Sequence, residues 1–366
     1  MRIVDRCCAR ILILVALAGA ADGAVAAEPP ELLRRSAAQV PAPPWPAGDE
    51  QGMANAIGPG TWSRCAWHLG QPGARAYELS YVRSNTMPKS PFSAPYVTEY
   101  RPSATMPGAR HAFNGEHFGA GAEPAQQGTQ FDAIGHFASL PSPAGSKSPA
   151  DTSGAIYYGG YTQAQVKPTP DSPLKKLGVE KAPPLVTTAI LLDAKRHANG
   201  GRPMQAGQVV TRANIDAMLE AQGLRDRGIL PGDVVLIRTG WGEHWQDPDR
   251  EQIYYTRAPG LAYEAAQYLG ERRIVALGLD TPFIDAMAEG FLAGKAAPAP
   301  GAPADLPLAV HHHMLTQMGI HHLENVRLGE IADAGVWTSC AMILPLRDNG
   351  AAGSPIRPVA IGIAGQ

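Results

Sequence analysis

Apolar positions are most regular in the C-terminal half of the chain. Residues 187–193 (TTAILLD) form a near-continuous apolar run of strand length that ends in a carboxylate, the pattern of a strand covered on both faces. Residues 233–238 (DVVLIR), entered through a Pro231-Gly232 turn, and residues 274–278, which lead into Asp280-Thr281-Pro282, repeat it. Between these runs, residues 212–223, closed by a glycine, and residues 263–272 carry apolar side chains at helical spacing. Residues 310–318 predict a further helix, residues 320–326 a strand that contains Glu324, and residues 337–345 and 358–363 two closing strands. Upstream, residues 61–69 read as a helix N-capped by Thr61 or a neighbour, residues 77–82 as an alternating strand, and residues 155–158 as a short one. Strands that alternate with helices, with several hairpin-like connections, predict an α/β fold with a mixed sheet. Nothing between residues 49 and 366 reads as a linker, so that span is taken as one domain.

The remaining stretches are irregular. Residues 28–48, with their PAPPWPAG segment, predict an extended lead-in, and residues 49–55 a turn. Residues 83–123 and 141–173 are rich in proline and glycine, and loops of this length in a compact domain usually line a functional site. His111 and His117 in the first loop are candidate lid residues. Residues 1–27 read as an export signal: Arg2, Arg6 and Arg10, an apolar run too short to span a bilayer, then Ala24-Val25-Ala26 or Val25-Ala26-Ala27 for cleavage. A buried N-terminal helix is the alternative. Cleavage would leave no stable membrane anchor and a periplasmic or secreted chain. It would also remove Cys7 and Cys8, leaving Cys65 and Cys340 to pair in an oxidising compartment or to stay as separate buried thiols.

Composition narrows the classes of function. With 17% charged residues among 366 and a net charge of -2, the chain has no basic field to hold nucleic acid. Gly 40 and Pro 34 describe a loop-rich globular protein rather than a helical bundle. No repeat of solenoid period, no G-x-S-x-G elbow and no Cys-x-x-Cys pair occurs.

Candidate chemistry gathers in residues 126–136 (QQGTQFDAIGH), where Asp132 and His136 stand behind a Gly-Thr pair with Phe131 and Ile134 as anchors. A carboxylate and an imidazole so placed can hold a metal or share a proton; the same spacing also describes a surface aspartate and a hydrogen-bonded core histidine. A second group comprises His311, His312 and His313, then His321, His322 and Glu324. Consecutive residues on a helix diverge, so at most one or two of the first three can reach one point. On a strand, His321 and His322 face opposite sides, and His322 shares a face with Glu324. Asp280 and Asp285 follow a buried strand, where a carboxylate caps a helix or lines a pocket. Arg357 reads as a loop-pinning residue.

Several motifs occur in register: Trp45 with Asp49-Glu50-Gln51-Gly52-Met53-Ala54-Asn55, the run Gly232 to Trp241 (GDVVLIRTGW), Gly278 to Asp285 (GLDTPFID), Leu323-Glu324-Asn325-Val326, and Gly353 to Val359 (GSPIRPV). Together, over residues 45–363, they resemble the cyclase family of metal-dependent amide hydrolases, which includes bacterial kynurenine formamidase and isatin hydrolase. The resemblance implies a swivelling β/β/α domain with a mixed sheet. It also implies a small-molecule substrate (a cyclic or linear amide, or a lactone), hydrolysis by metal-activated water, and a homodimer. Of the signature H-x-G-T-H-x-D-x-P-x-H, Gly128, Thr129, Asp132 and His136 match, Gln126 and Gln130 occupy the two histidine positions, and Ile134 replaces the proline. By that resemblance Asp132 is a metal ligand and His136 handles the proton. Gln126 and Gln130 stand at ligand positions, and His311 (His312 if the register shifts by one) and Glu324 complete the centre. A carboxamide is a poorer ligand than an imidazole, so the implied divalent ion, Mn²⁺ or Zn²⁺, is expected to be the harder Mn²⁺. Without a bound ion, the same fold reads as a periplasmic small-molecule binding protein.

Overall fold

The computed structural model describes residues 27–92, 96–108, 110, 112–118, 127–143 and 151–365; the leader, His111 and Gln126 lie outside them. In chain order the strands are β1 (Arg75–Glu78), β2 (Thr98–Tyr100), β3 (Glu116–Phe118), β4 (Gln130–Asp132), β5 (Leu185–Asp193), β6 (Val209–Val210), β7 (Val234–Arg238), β8 (Gly260–Leu261), β9 (Ala276–Leu279), β10 (His321–Glu324), β11 (Thr338–Ile343), β12 (Gly353–Pro355) and β13 (Val359–Gly362). Among the described residues the main sheet has nine strands in the order β1-β13-β11-β5-β7-β9-β10-β4-β12. Strands β5, β7, β9 and β10 run parallel, and the wings on either side are antiparallel. This is the mixed α/β architecture the apolar pattern predicts.

The parallel centre is where the apolar runs fall, because strands there are covered on both faces. Ile190, Leu192, Val235, Ile237 and Leu277 are fully buried. Helix Arg212–Ala221 adds Ile215 and Met218, and helix Tyr263–Glu271 adds Ala265, Ala266 and Leu269, to the same core. Thr211 starts the first of these helices with a capping box, its Oγ1 accepting from Asn214 N at 3.2 Å while Asn214 Oδ1 accepts from Thr211 N at 2.9 Å. No helix of the described residues is long and apolar enough to cross a membrane.

Local differences from the expected elements have physical causes. Residues 28–48 are not simply extended: Pro30–Ala38 is a helix with proline in its first turn, where the missing N–H costs nothing. It packs on helix Pro59–Leu69 so closely that a Cβ on Gly60 would lie 2.5 Å from Ser36 O. Cys65 of that second helix is disulfide-bonded to Cys340 of β11, which settles the thiol alternative. The strand expected over 77–82 is only Arg75–Glu78, and that expected over 155–158 reduces to an isolated bridge of Ile156 with Ser139 and Thr162. Residues 310–318 are a helical turn, Ala309–His311, continued as the π-helix His312–Met318 and closed by Gly319 at φ 64. Gly52 (φ 57) seats against that end: Met53 N donates to Gly319 O at 2.7 Å, and a Cβ on Gly52 would come within 2.2 Å of the same oxygen. Asp49 braces the seat, accepting from Gly52 N at 2.9 Å, Asn55 Nδ2 at 2.7 Å and Tyr158 OH at 3.0 Å.

Behind the sheet lies a buried charge cluster. Arg227 bridges Glu28 at 2.7 Å and Asp233 at 2.5 Å; Arg64 reaches Asp233 at 3.3 Å, and His68 stands 3.4 Å from Glu28. Burial alone raises the Glu28 pKa, but Arg227 and His68 outweigh it and bring it from 4.5 down to about 2. A carboxylate depressed in this way contributes stability that is complete above its unfolded pKa and lost as the pH falls towards its folded one. Chemical denaturation across a pH series should therefore show wild-type stability falling between pH 4.5 and about 2. Glu28→Gln should flatten that limb and cost about 3 kcal/mol at neutral pH.

Candidate functional site

The antiparallel pairing of β4 with β10 builds the site. Its register sets His322 opposite Asp132, Leu323 opposite Phe131 and Glu324 opposite Gln130. Opposed residues share a face, so the four polar side chains gather on one side. Phe131 and Leu323 enter the core on the other, where His321 lies with its ring 4.6 Å from Phe131. Gln130 Nε2 donates to Glu324 Oε2 at 3.0 Å and to Asp132 Oδ1 at 3.3 Å. His311 arrives from its helical turn with Nε2 3.3 Å from Glu324 Oε1 and Nδ1 2.6 Å from Asp285 Oδ2. Asp285 also accepts from Val310 N at 2.8 Å and His311 N at 3.0 Å, so one carboxylate holds both the turn and its imidazole. The rings of His311 and His322 meet edge to face at 4.7 Å, and one ligand atom from each of Asp132, His311 and His322 lies within 4.8 Å of the others.

Of the residues singled out in the sequence, Asp132, Gln130, His311 and Glu324 therefore come together. His136, in the turn Ile134–His136, is half-buried with its ring 6.4 Å from His311; no hydrogen bond joins it to Asp132 among the described residues. His312 and His313 turn away, each within hydrogen-bond distance of Gln317, and His313 packs edge-on against Tyr263. Of the three consecutive histidines, His311 is the one whose ring reaches Glu324. Asp280 accepts from Thr239 N at 2.8 Å and Gly240 N at 2.9 Å, organising the turn after β7, and Arg357 pairs with Glu78 at the surface. His117 is exposed on β3. Sequence reasoning placed His322 on the face of Glu324 without giving it a role, and it did not connect Asp285 to His311. The alternation of His322 and Glu324 was a usable signal for the first; only the fold brings the second pair together.

A cavity of 330 Å³ opens over the cluster. Gln130, His136, His311 and Glu324 form its polar end, and Phe137, Tyr255, Phe283, Met287 and Leu308 its apolar wall. Ser90 and Phe92 reach in from the long loop before β4; among the described residues none of 141–173 does, contrary to the expectation that both loops line the site. The wall comes instead from the segments around Phe283 and Leu308. A larger cleft of 1060 Å³, with Lys89, Arg257 and Lys295 in its lining, shares Tyr255 with this cavity but none of Gln130, His136, His311 and Glu324.

The electrostatics favour a cation. Burial lowers the His311 pKa, but Asp285 and Glu324 outweigh it and hold the ring cationic, raised to about 10. Burial, and then the charge of Asp132, pushes Glu324 up to about 7. Burial, and then His311, drives His322 well below the ordinary histidine range, so it is a neutral imidazole with a free lone pair. Asp132 Oδ2 and both His322 nitrogens are buried with no hydrogen-bond partner among the described residues. Unsatisfied buried acceptors are costly and uncommon. Three buried carboxyl groups, Asp132, Asp285 and Glu324, surround the His311 ring, and a bound ion would take the place of the proton on its Nε2. A divalent ion fits this donor set. For chelator-treated protein, the His311 clamp contributes stability that is full below pH 6.5 and lost as the pH rises through about 10. Thermal melts should fall across that range, and Asp285→Asn should flatten the decline.

A family model described as "Putative cyclase" matches residues 77–286. Kynurenine formamidases from Bacillus cereus and Bacillus thuringiensis are each 36% identical over 101 residues, 28% of this chain and 39% of theirs. The match thus spans about two fifths of the length of those relatives. A solved structure of a novel cyclase superposes with TM-score 0.68 at 23% identity, covering 86% of this chain and 95% of that one. Isatin hydrolase A from Ralstonia solanacearum gives 0.52 at 21% identity, covering 81% and 95%. An isatin hydrolase bound to the product analogue thioisatinate gives 0.52 at 18%, covering 79% and 92%. These structural likenesses speak for the fold.

Proposed function

The chain belongs to the cyclase family, and from that premise we propose that it is a metal-dependent hydrolase of a small cyclic or linear amide, with lactones as a related substrate class. The observation that carries this reading is the convergence of Asp132, which among the described residues keeps an unpaired buried oxygen, with His311, whose ring lines the polar end of an aromatic-walled cavity. The formamidase names of its relatives agree with an amide substrate. Asp132 and His311 would hold the ion, with Glu324 beside it; when bound, the ion supplies an activated water and polarises the substrate carbonyl.

The other groups act around that centre. Asp285 fixes the His311 ring through Nδ1 and so presents Nε2 to the site, the usual arrangement for a ligating histidine. Gln130 ties Asp132 to Glu324 and orients both carboxyl groups. Phe137 and Phe283 seat the apolar part of the substrate and exclude water from the polar end. His136, half-buried at the cavity edge, delivers a proton to the leaving nitrogen or oxygen. The proposal also puts the chain outside the cytoplasm, a reading supported by the pattern of residues 1–27 and by the Cys65–Cys340 disulfide.

Metal analysis and an assay on N-formyl amides, lactams and lactones test this together. Roughly one equivalent of metal is expected after growth with Mn²⁺ and Zn²⁺, and less than about a tenth overturns the reading. Asp132→Ala should lose both metal and hydrolysis; activity that survives it means the site lies elsewhere. His136→Gln should keep the metal while kcat drops by about 10²–10⁴.

A further inference from the structure

We infer that His322 is a metal ligand, and that the two-imidazole donor set it completes selects Zn²⁺ or Co²⁺ over Mn²⁺. This deepens the metal-dependent reading above and rests on it.

His322 is directly opposite Asp132 in the β4–β10 pairing, on the same face, and it is wholly buried. Neither of its ring nitrogens has a hydrogen-bond partner among the described residues. An unsatisfied buried polar group is destabilising, a cost that a leucine at this position would avoid. A ring placed so is open to a partner the described residues do not supply. Its neighbour His321 cannot exchange with it, because that side chain is on the opposite face against Phe131, with Nδ1 3.3 Å from Asp132 O.

The distances allow coordination. Ligand atoms of Asp132, His311 and His322 lie within 4.8 Å of one another, and two bonds of ~2.1 Å to one ion span at most ~4.2 Å. Small side-chain rotations cover that difference. Gln130 offers no comparable ligand, since its NH₂ group donates to Asp132 and Glu324 and leaves only a neutral carboxamide oxygen, a weaker donor to these ions than an imidazole. That carboxamide serves the carboxyl pair, and the imidazole comes from the facing strand instead.

The metal preference follows from the donors. Asp132, Glu324 and one histidine form an oxygen-rich set suited to Mn²⁺. A second imidazole moves the set towards nitrogen, where binding strengthens along the first-row series from Mn²⁺ to Co²⁺ and on to Zn²⁺. A water bridging His322 and Asp132 would satisfy the same atoms without that selectivity.

The test uses the purified chain, stripped with chelator and titrated with Co²⁺ by visible absorption, with Zn²⁺ by competition and with Mn²⁺ by paramagnetic resonance. One Co²⁺ per chain is expected, with Zn²⁺ held at least ~100-fold more tightly than Mn²⁺. His322→Leu and His322→Gln should each weaken Zn²⁺ by ~100-fold or more while Mn²⁺ affinity moves less than ~10-fold. Stripped His322→Leu should melt at or above stripped wild type, which a purely structural histidine would not allow. Zn²⁺ affinity within ~3-fold of wild type in a folded variant overturns the inference. So does a stripped wild type that takes up neither ion. Should both variants misfold, nitrogen hyperfine coupling of Cu²⁺ bound to the wild type decides: two imidazoles support the assignment and one overturns it. Metal uptake that depends on His322 without hydrolysis of any substrate would remove the proposed activity and leave the ligand assignment standing.

Discussion

Everything at the site hangs on one strand register. Phe131 and Leu323, buried at 0% and 1% exposure, face each other across β4 and β10 and lock the pairing from the core side. That lock places Asp132 against His322 and Gln130 against Glu324 on the opposite side. A slip of β4 by one residue would turn Gln130 and Asp132 into the hydrocarbon core and bring Phe131 to the cavity. The site is therefore specified by backbone pairing, with apolar packing supplying the energy that keeps acidic groups and an imidazolium close together. Strand β9 steadies the arrangement further, running parallel to β10 through Ala276, Leu277 and Gly278.

The second support is the His311 turn. Asp285 takes the two amides at the start of the turn and the ring nitrogen of its last residue, so backbone and side chain are positioned by one carboxylate. The π-helix that follows sends His312 and His313 away from the cavity, towards Gln317 and Tyr263. Gly52 and Gly319 then close the segment by backbone contact that no side chain could permit. The turn near residue 49 thus acts on the site indirectly, as the seat of the helix that carries His311.

What the sequence revealed follows from how each feature is encoded. The runs at 187–193 and 233–238 were legible because parallel strands covered on both faces must be apolar throughout. Strand β12, Gly353–Pro355, was not: its sequence has no strand pattern, and it pairs at the sheet edge only because β4 offers it free backbone groups. The helix Pro30–Ala38 was hidden by the prolines after it, although its own PELLRRSAA segment contains good helix formers behind an initial proline. At the site, Asp132, His311 and Glu324 were legible as motif positions. Asp285 was not connected to His311, because their contact depends on folding that no local spacing records. His322 could be assigned to the face of Glu324 but not to the side of Asp132, since only strand pairing brings the two together.

The ends of the chain depend on one another. Among the described residues strand β1 pairs only with β13; Glu28 finds its guanidinium partner at Arg227; and Cys65 is joined to a cysteine 275 residues later. As the polypeptide leaves the ribosome, its first third has no completed sheet to join and no partner for its buried charge. Native structure in that region waits for nearly the whole chain.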